Sequence, residues 1–187
     1  GYLFPATYSI KESTTIESLI DEMLAAMDKT LTPHYSTIKS KNLTVNELLT
    51  IASLVEKEGA KTDDRKLIAG VFYNRLNLGM PLQSNIAILY AQGKLGQNIS
   101  LADDAGIDTS INSPYNVYTK SGLMPGPVDS PSQDAIEASI NQTKSDNLYF
   151  VANVTDGKVY YAATQEEHDR NVAEHVNSKL TQNSSSN

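Results

Sequence analysis

The segment from Thr44 to Gly59 limits what this chain can fold into more than any other. Thr44 followed by Glu47 reads as a capping box, the reciprocal pairing that starts a helix. Leu48, Leu49, Ile51, Ala52, Leu54 and Val55 then make the helix strongly apolar, and it runs to Glu58 with Gly59 as its stop signal. A helix this apolar needs a core around it. A second helix begins near Thr62, with Asp63 and Asp64 in its first turn, where the helix dipole favours negative charge. It carries Leu67, Ile68, Val71, Phe72 and Leu76 and ends by Gly79. The length of 187 residues gives these helices one compact domain to occupy, or one domain with a small appendage.

The remaining pattern predicts an α+β, helix-rich single domain with a C-terminal antiparallel hairpin. Gly1 to Ser9 reads as a leading loop or an edge strand, because aromatic and polar residues alternate and Pro5 interrupts them. From Thr15, apolar residues recur at threes and fours (Ile16, Leu19, Ile20, Met23, Leu24, Met27), which predicts a helix that Pro33 stops. Met80 to Gly93 suggests a short loop followed by a turn or two of helix capped by Ser84. Residues 94–130 are rich in Gly, Pro, Asn, Ser and Tyr, and a long irregular segment in a compact domain is usually functional or mobile. Ser130 and Pro131 read as the N-cap and first position of a helix through Ile140. Leu148 to Val154 and Lys158 to Ala162 look like strands joined at Thr155-Asp156-Gly157. Thr164 with Glu167 caps a last helix, and residues 182–187 form a disordered polar tail.

Composition excludes several functions. Fifteen basic against 22 acidic residues give a net charge of −7, which opposes nucleic-acid binding by bulk charge. The absence of cysteine rules out disulfides, thiolate metal sites and a cysteine nucleophile. The longest uncharged run, Leu76 to Gly93, is too interrupted to span a bilayer. His34, His168 and His175 do not make a metal set: the last two are seven residues apart, and no further His or Cys completes the group. Phosphate loops, dinucleotide fingerprints and the nucleophile elbow are all missing from the sequence.

Helical geometry selects one acid/base candidate. Glu58 lies four residues after Leu54, three after Val55 and seven after Ile51, so it continues the apolar stripe, whereas Glu56 points more to one side. Burial and the negative end of the helix dipole both favour a protonated carboxyl, as a general acid near neutral pH requires. The plain alternative is a solvated glutamate at a frayed helix end, neutralised by Lys57 or Lys61. The pairs Asp63–Asp64 and Asp103–Asp104 read as helix-start charge and loop polarity, because chain neighbours seldom face each other. Gln83, Ser84, Asn85, Tyr90, Tyr115, Asn116 and Tyr118 supply amide, hydroxyl and aromatic groups of the sort a neutral, hydroxyl-rich ring would need. They are equally ordinary turn residues.

Longer motifs narrow the choice. Gly1-Tyr2-Leu3-Phe4-Pro5-Ala6-Thr7-Tyr8, the run Ile51 to Glu58, Val71-Phe72-Tyr73-Asn74-Arg75-Leu76 and Gly79 to Asn85 occur in that order. They continue with Tyr115-Asn116-Val117-Tyr118, Gly122 to Pro127, Leu148 to Ala152 and Glu167-His168. Together they resemble the catalytic domain of the YceG-like (MltG-type) endolytic murein transglycosylases, over nearly the whole chain. The resemblance implies a YceG-like catalytic domain over residues 1–181. It also implies cleavage of the β-1,4 bond between N-acetylmuramic acid and N-acetylglucosamine, leaving 1,6-anhydromuramoyl ends on peptidoglycan glycan strands. Its catalytic glutamate falls on Glu58. One carboxylate suffices when the sugar's own C6 hydroxyl attacks, whereas a hydrolase typically needs two. Gln83, Ser84, Asn85, Asn116 and Tyr118 would then orient saccharide and N-acetyl groups, while Asn74 and Arg75 brace the site or are structural. No cofactor or metal is implied.

The family usually has Asp where Ala6 stands, commonly Asp where Asn85 stands, and commonly Pro where Met124 stands. An amide at position 85 can bind sugar but cannot take a proton. The family carries an N-terminal membrane anchor and a LysM-like portion, neither of which is visible here. An excised domain from the extracytoplasmic face of the bacterial membrane is therefore expected, with cell-wall synthases as partners. The competing readings are a hydrolytic muramidase using Glu58 with Asp63, Asp64 or another carboxylate that no motif marks, and a glycan-binding or scaffold module without turnover.

Overall fold

Helix α3 (Val45–Glu58) is the centre of the molecule, because every residue from Leu48 to Val55 is buried. In the computed structural model, which describes residues 1–97, 106–153 and 156–177, it packs on both α4 (Thr62–Asn77) and α6 (Gln133–Ile140), which also meet each other. One side of α3, with Ile51, Leu54 and Val55, joins Ile68, Phe72, Leu82 and Val117 in the larger core cluster. The other side, with Leu48, Leu49 and Ala52, joins Met27, Leu31, Ile136 and Ile140 in the second. An apolar surface all round the helix is thereby used, each buried Leu or Ile contributing about 1.5–3 kcal/mol. Ser53 sits fully buried within it because its hydroxyl donates to the Thr50 carbonyl and accepts from the Val128 N–H, which ties the irregular segment down.

The capping box at Thr44 and Glu47 is present, and Thr15 forms another with Ser18 at the start of α1 (Ile16–Leu31). Pro33 ends α1, but its fixed φ suits the first turn of a new helical segment. A 3-10 turn over Thr32–His34 and a short α2 (Tyr35–Ser40) follow, which the periodicity does not mark. Residues 1–9 form a loop rather than a strand, with the Phe4 N–H donating to the Met23 carbonyl. Helix α5 (Asn85–Ala91) follows Ser84 as expected. The α6 helix is capped by Ser132, not Ser130 as the sequence suggested. Ser132 receives the Ala135 N–H on its hydroxyl oxygen and gives both its own N–H and O–H to Glu56, so the cap and a partly buried carboxylate fix each other.

The fold is α+β. Strands β1 (Tyr149–Ala152) and β2 (Val159–Ala162) form a two-stranded antiparallel sheet in which Tyr149 opposes Ala162 and Ala152 opposes Val159. The hairpin is held from both sides. Phe150 meets Phe72 of the core edge-to-face, while Tyr149 and Tyr160 stack on His168 and His175 of the last helical segment. That segment comprises α7 (Gln165–Val172), with its Thr164–Glu167 capping box, and a π turn over Ala173–Asn177. Asp103, Asp104, Val154, Thr155 and the tail from residue 182 lie outside the described residues.

Close helix approach has a testable cost. A Cβ on Gly70 of α4 would lie 2.5 Å from the Thr143 carbonyl oxygen, in the segment that leads from α6 to the hairpin. Gly70→Ala is expected to destabilise the protein by about 1–3 kcal/mol, despite alanine's better helix propensity. Thermal unfolding reads this directly.

Candidate active site

A cleft of about 540 Å³ opens between the end of α3, the segment from Leu82 to Ile86, and the hairpin with α7. Glu58 lines it, half-buried as the last residue of α3. Among the described lining residues it is the one carboxylate. Ser84 donates its hydroxyl to Glu58 Oε1 at 2.8 Å, which explains why this N-cap residue of α5 makes no side-chain cap bond. Lys57 pairs with Asp129 at 3.5 Å, so the neighbouring cation is engaged elsewhere.

The backbone that presents Glu58 is clamped from behind. Arg65 donates to the Gly59 carbonyl at 2.9 Å, to Glu56 at 2.9 Å and to Asp134 at 2.6 Å. Glu56 therefore joins α3 to α4 and α6, consistent with its sideways direction on the helix. Asp64 accepts from the Tyr161 hydroxyl, and Asp63 is exposed; neither lines the cleft.

Arg75 organises the floor. It is 6 % exposed, and its guanidinium donates to the carbonyls of Pro81, Leu82 and Leu148 and to Gln83 Oε1 at 2.9 Å. Its charge also lies 5.0 Å from the centre of the Tyr149 ring. Burial holds this guanidinium below its ordinary pKa, with Tyr149 and Tyr118 acting in the opposite direction. Gln83 adopts a left-handed backbone with φ of 56°, uncommon for a non-glycine residue, and its N–H is fixed to the Val117 carbonyl. Asn85 accepts the Tyr118 hydroxyl at 2.6 Å across the cleft.

The expected site residues thus divide. Glu58, Gln83, Asn85 and Tyr118 meet in the cleft. Ser84 is buried and touches Glu58 rather than opening to a ligand, so it is a positioning residue. Asn116 is 1 % exposed and spends its whole amide on backbone: it donates to Thr109 and Ile111 and accepts from Tyr118 and Thr119. Asn74 donates to the Ser145 and Asn147 carbonyls and does not line the cleft. Both asparagines hold loops in place, one carrying Tyr118 and the other leading into β1.

The cleft also contains Tyr149, Gln165 and His168, which sequence reasoning did not place there. The His168 ring stacks on Tyr149 at 5.4 Å, and its Nδ1 is buried without a hydrogen-bond partner. Burial pushes its pKa down, Asp169 opposes this, and Arg75 reinforces it, so the imidazole is neutral at neutral pH. Arg75 had a usable signal: it follows Ile68, Val71 and Phe72 by seven, four and three residues, the same stripe logic that selects Glu58. Tyr149 and His168 lie in motifs that carry the resemblance, Leu148 to Ala152 and Glu167-His168, while Gln165 had no signal.

A helix-terminal glutamate and a buried arginine thus share one cleft with tyrosine, histidine and amide side chains. The sequence model of the YceG-like family matches residues 1–174. The chain is 88% identical over 180 residues to the endolytic murein transglycosylase of Streptococcus pneumoniae serotype 2 (strain D39 / NCTC 7466), covering 96% of this chain and 33% of that protein. It is 38% identical to the endolytic murein transglycosylase of Bacillus subtilis (strain 168), over 96% of this chain and 48% of that one. Among solved structures, a yceG-like protein from Listeria monocytogenes superposes with a TM-score of 0.82 at 40% identity, covering 91% of this chain and 54% of its own. The chain belongs to the YceG-like family. It spans a third to about half the length of these curated relatives.

Proposed function

We propose that this domain cleaves peptidoglycan glycan strands internally as a lytic transglycosylase, with Glu58 as its single acid and base. The observation that carries the reading is Glu58 itself: the one carboxylate on the described cleft wall, ending a buried helix and oriented by Ser84. Relatives named endolytic murein transglycosylase support the substrate class.

In the reaction, protonated Glu58 gives its proton to the oxygen of the β-1,4 bond between N-acetylmuramic acid and N-acetylglucosamine. The C1–O bond breaks, and the C6 hydroxyl of the same muramic acid attacks C1. Its proton passes to the Glu58 carboxylate, which restores the acid and leaves a 1,6-anhydro end. No water is consumed, so no second carboxylate has to activate one. Gln83, whose Oε1 is held by Arg75, and the Asn85–Tyr118 pair orient the sugar. This chemistry requires neither a metal nor a cofactor. Residues 1–181 form the catalytic unit of a longer protein on the extracytoplasmic face of the membrane, where glycan strands and their synthases lie.

Mass spectrometry of uncrosslinked strands incubated with the domain tests this. Anhydro-ended fragments are expected. Reducing ends would replace the reading by a hydrolytic muramidase, and binding without cleavage would replace it by a glycan-binding module. Ser84→Ala provides a finer check: removing the donor to Glu58 is expected to lower kcat about tenfold with KM unchanged, a rise of about 1.4 kcal/mol in the barrier.

A further inference from the structure

Four consecutive residues of β1, Tyr149, Phe150, Val151 and Ala152, all line the cleft. Side chains of a strand alternate between its faces, so an unbroken run of lining residues means that the strand presents its edge. The two faces are already occupied: Phe150 rests on Phe72 and Tyr149 on His168. The hydrogen-bond register identifies the groups on that edge. Asn153 donates its N–H to the Lys158 carbonyl directly opposite, and in an antiparallel pair every second residue bonds to its partner strand. Val151 and Tyr149 therefore face β2, and the N–H and C=O groups of Phe150 and Ala152 point outward. At Leu148 the alternation breaks, since its N–H turns to the Ala162 carbonyl of β2 while its own carbonyl accepts from Arg75 on the cleft floor; the direction of Phe150 and Ala152 is read from the Asn153 end. Among the described residues, the backbones of Phe150 and Ala152 make no hydrogen bond outside the hairpin.

We infer that the outer edge of β1 is a subsite for the acetamido groups of the glycan, which it recognises by backbone hydrogen bonds. An acetamido group has one N–H and one C=O, the same complement a strand edge offers, and unpaired edge groups are templates for such pairing. This occupant is favoured because the edge shares its cleft with Glu58, and because the polar groups around it other than Glu58 and the buried Arg75, whose guanidinium is taken up by backbone carbonyls and Gln83, are uncharged (Gln83, Asn85, Tyr118, Gln165). The inference rests on the transglycosylase reading for the position of the sugar chain. Selectivity would then reside in main-chain atoms, where side-chain motifs do not reveal it.

The test uses Ala152, which is exposed. Ala152→Pro removes the outward N–H but no ladder bond, and proline is accepted on strand edges. Ala152→Val keeps the N–H and controls for bulk. Binding is measured to a β-1,4 N-acetylglucosamine oligosaccharide and to a β-1,4 glucose oligosaccharide of equal length, which lacks the acetamido group and is equally neutral. The parent and Ala152→Val are expected to prefer the acetylated ligand by about tenfold, and Ala152→Pro to lose that preference while binding the glucose oligomer as before. Thermal unfolding of all three confirms that the hairpin is intact. A preference retained in Ala152→Pro, or equal binding of both ligands by the parent, overturns the subsite and leaves the transglycosylase reading standing. Competition by a free stem peptide alone assigns the edge to peptide instead. If the parent binds neither oligosaccharide, the subsite falls, and strand cleavage read by mass spectrometry decides the transglycosylase reading separately.

Discussion

Glu58→Gln is expected to abolish cleavage of glycan strands, lowering kcat by about 10³-fold or more, while the domain still folds and still binds saccharide. Glutamine keeps the size of the side chain and can still accept the Ser84 hydroxyl, so the 2.8 Å contact survives and only the transferable proton is lost. The measurements are strand cleavage by mass spectrometry and oligosaccharide binding, taken side by side. Cleavage at an undiminished rate would remove Glu58 from the chemistry. Loss of both binding and cleavage, with a lowered melting temperature, would make it structural.

The second large effect is expected at Arg75. Arg75→Met removes the donor shared by the carbonyls of Pro81, Leu82 and Leu148 and by Gln83, and leaves those acceptors in a poorly solvated floor. A charged donor serving neutral acceptors is worth more than an ordinary hydrogen bond, and each acceptor stranded without water adds its own desolvation cost. A loss of about 3–5 kcal/mol follows, which for a chain of this size lowers the melting temperature by on the order of 10 °C. Activity should fall further than stability explains, because Gln83 and the Leu148 end of β1 lose their common anchor. Arg75→Lys should recover part of the stability and little of the activity, since a single ammonium cannot reproduce the planar fork.

These two residues also show what the sequence makes legible. Glu58 and Arg75 are charged residues that continue apolar stripes, and helical periodicity places both toward the interior before any coordinates exist. The capping boxes at Thr44 and Thr164 are local, and each appears where its spacing demands. Ser132 in place of Ser130 is a different case: two serines flanking a proline satisfy the same local rule, and the choice is made by Glu56, 76 residues away. Asn116 and Asn74 have the side chains of sugar ligands, but loops with many unpaired carbonyls use up their amides first. Tyr149 and Gln165 enter the site through the packing of the hairpin against α7, a long-range event with no local pattern.

The cleft joins parts of the chain that are far apart in sequence. Glu58 comes from the first third, and the wall opposite it, from Tyr149 to His168, from the last. Contacts between such distant segments are the slowest to form, because the loop between them must close first. A chain interrupted anywhere before Tyr149 would retain the glutamate on a well-capped helix with nothing opposite to hold a sugar against it. On the proposed function, cleavage therefore requires both ends of the chain together, and a fragment that stops before Tyr149 is expected to cut no glycan strand.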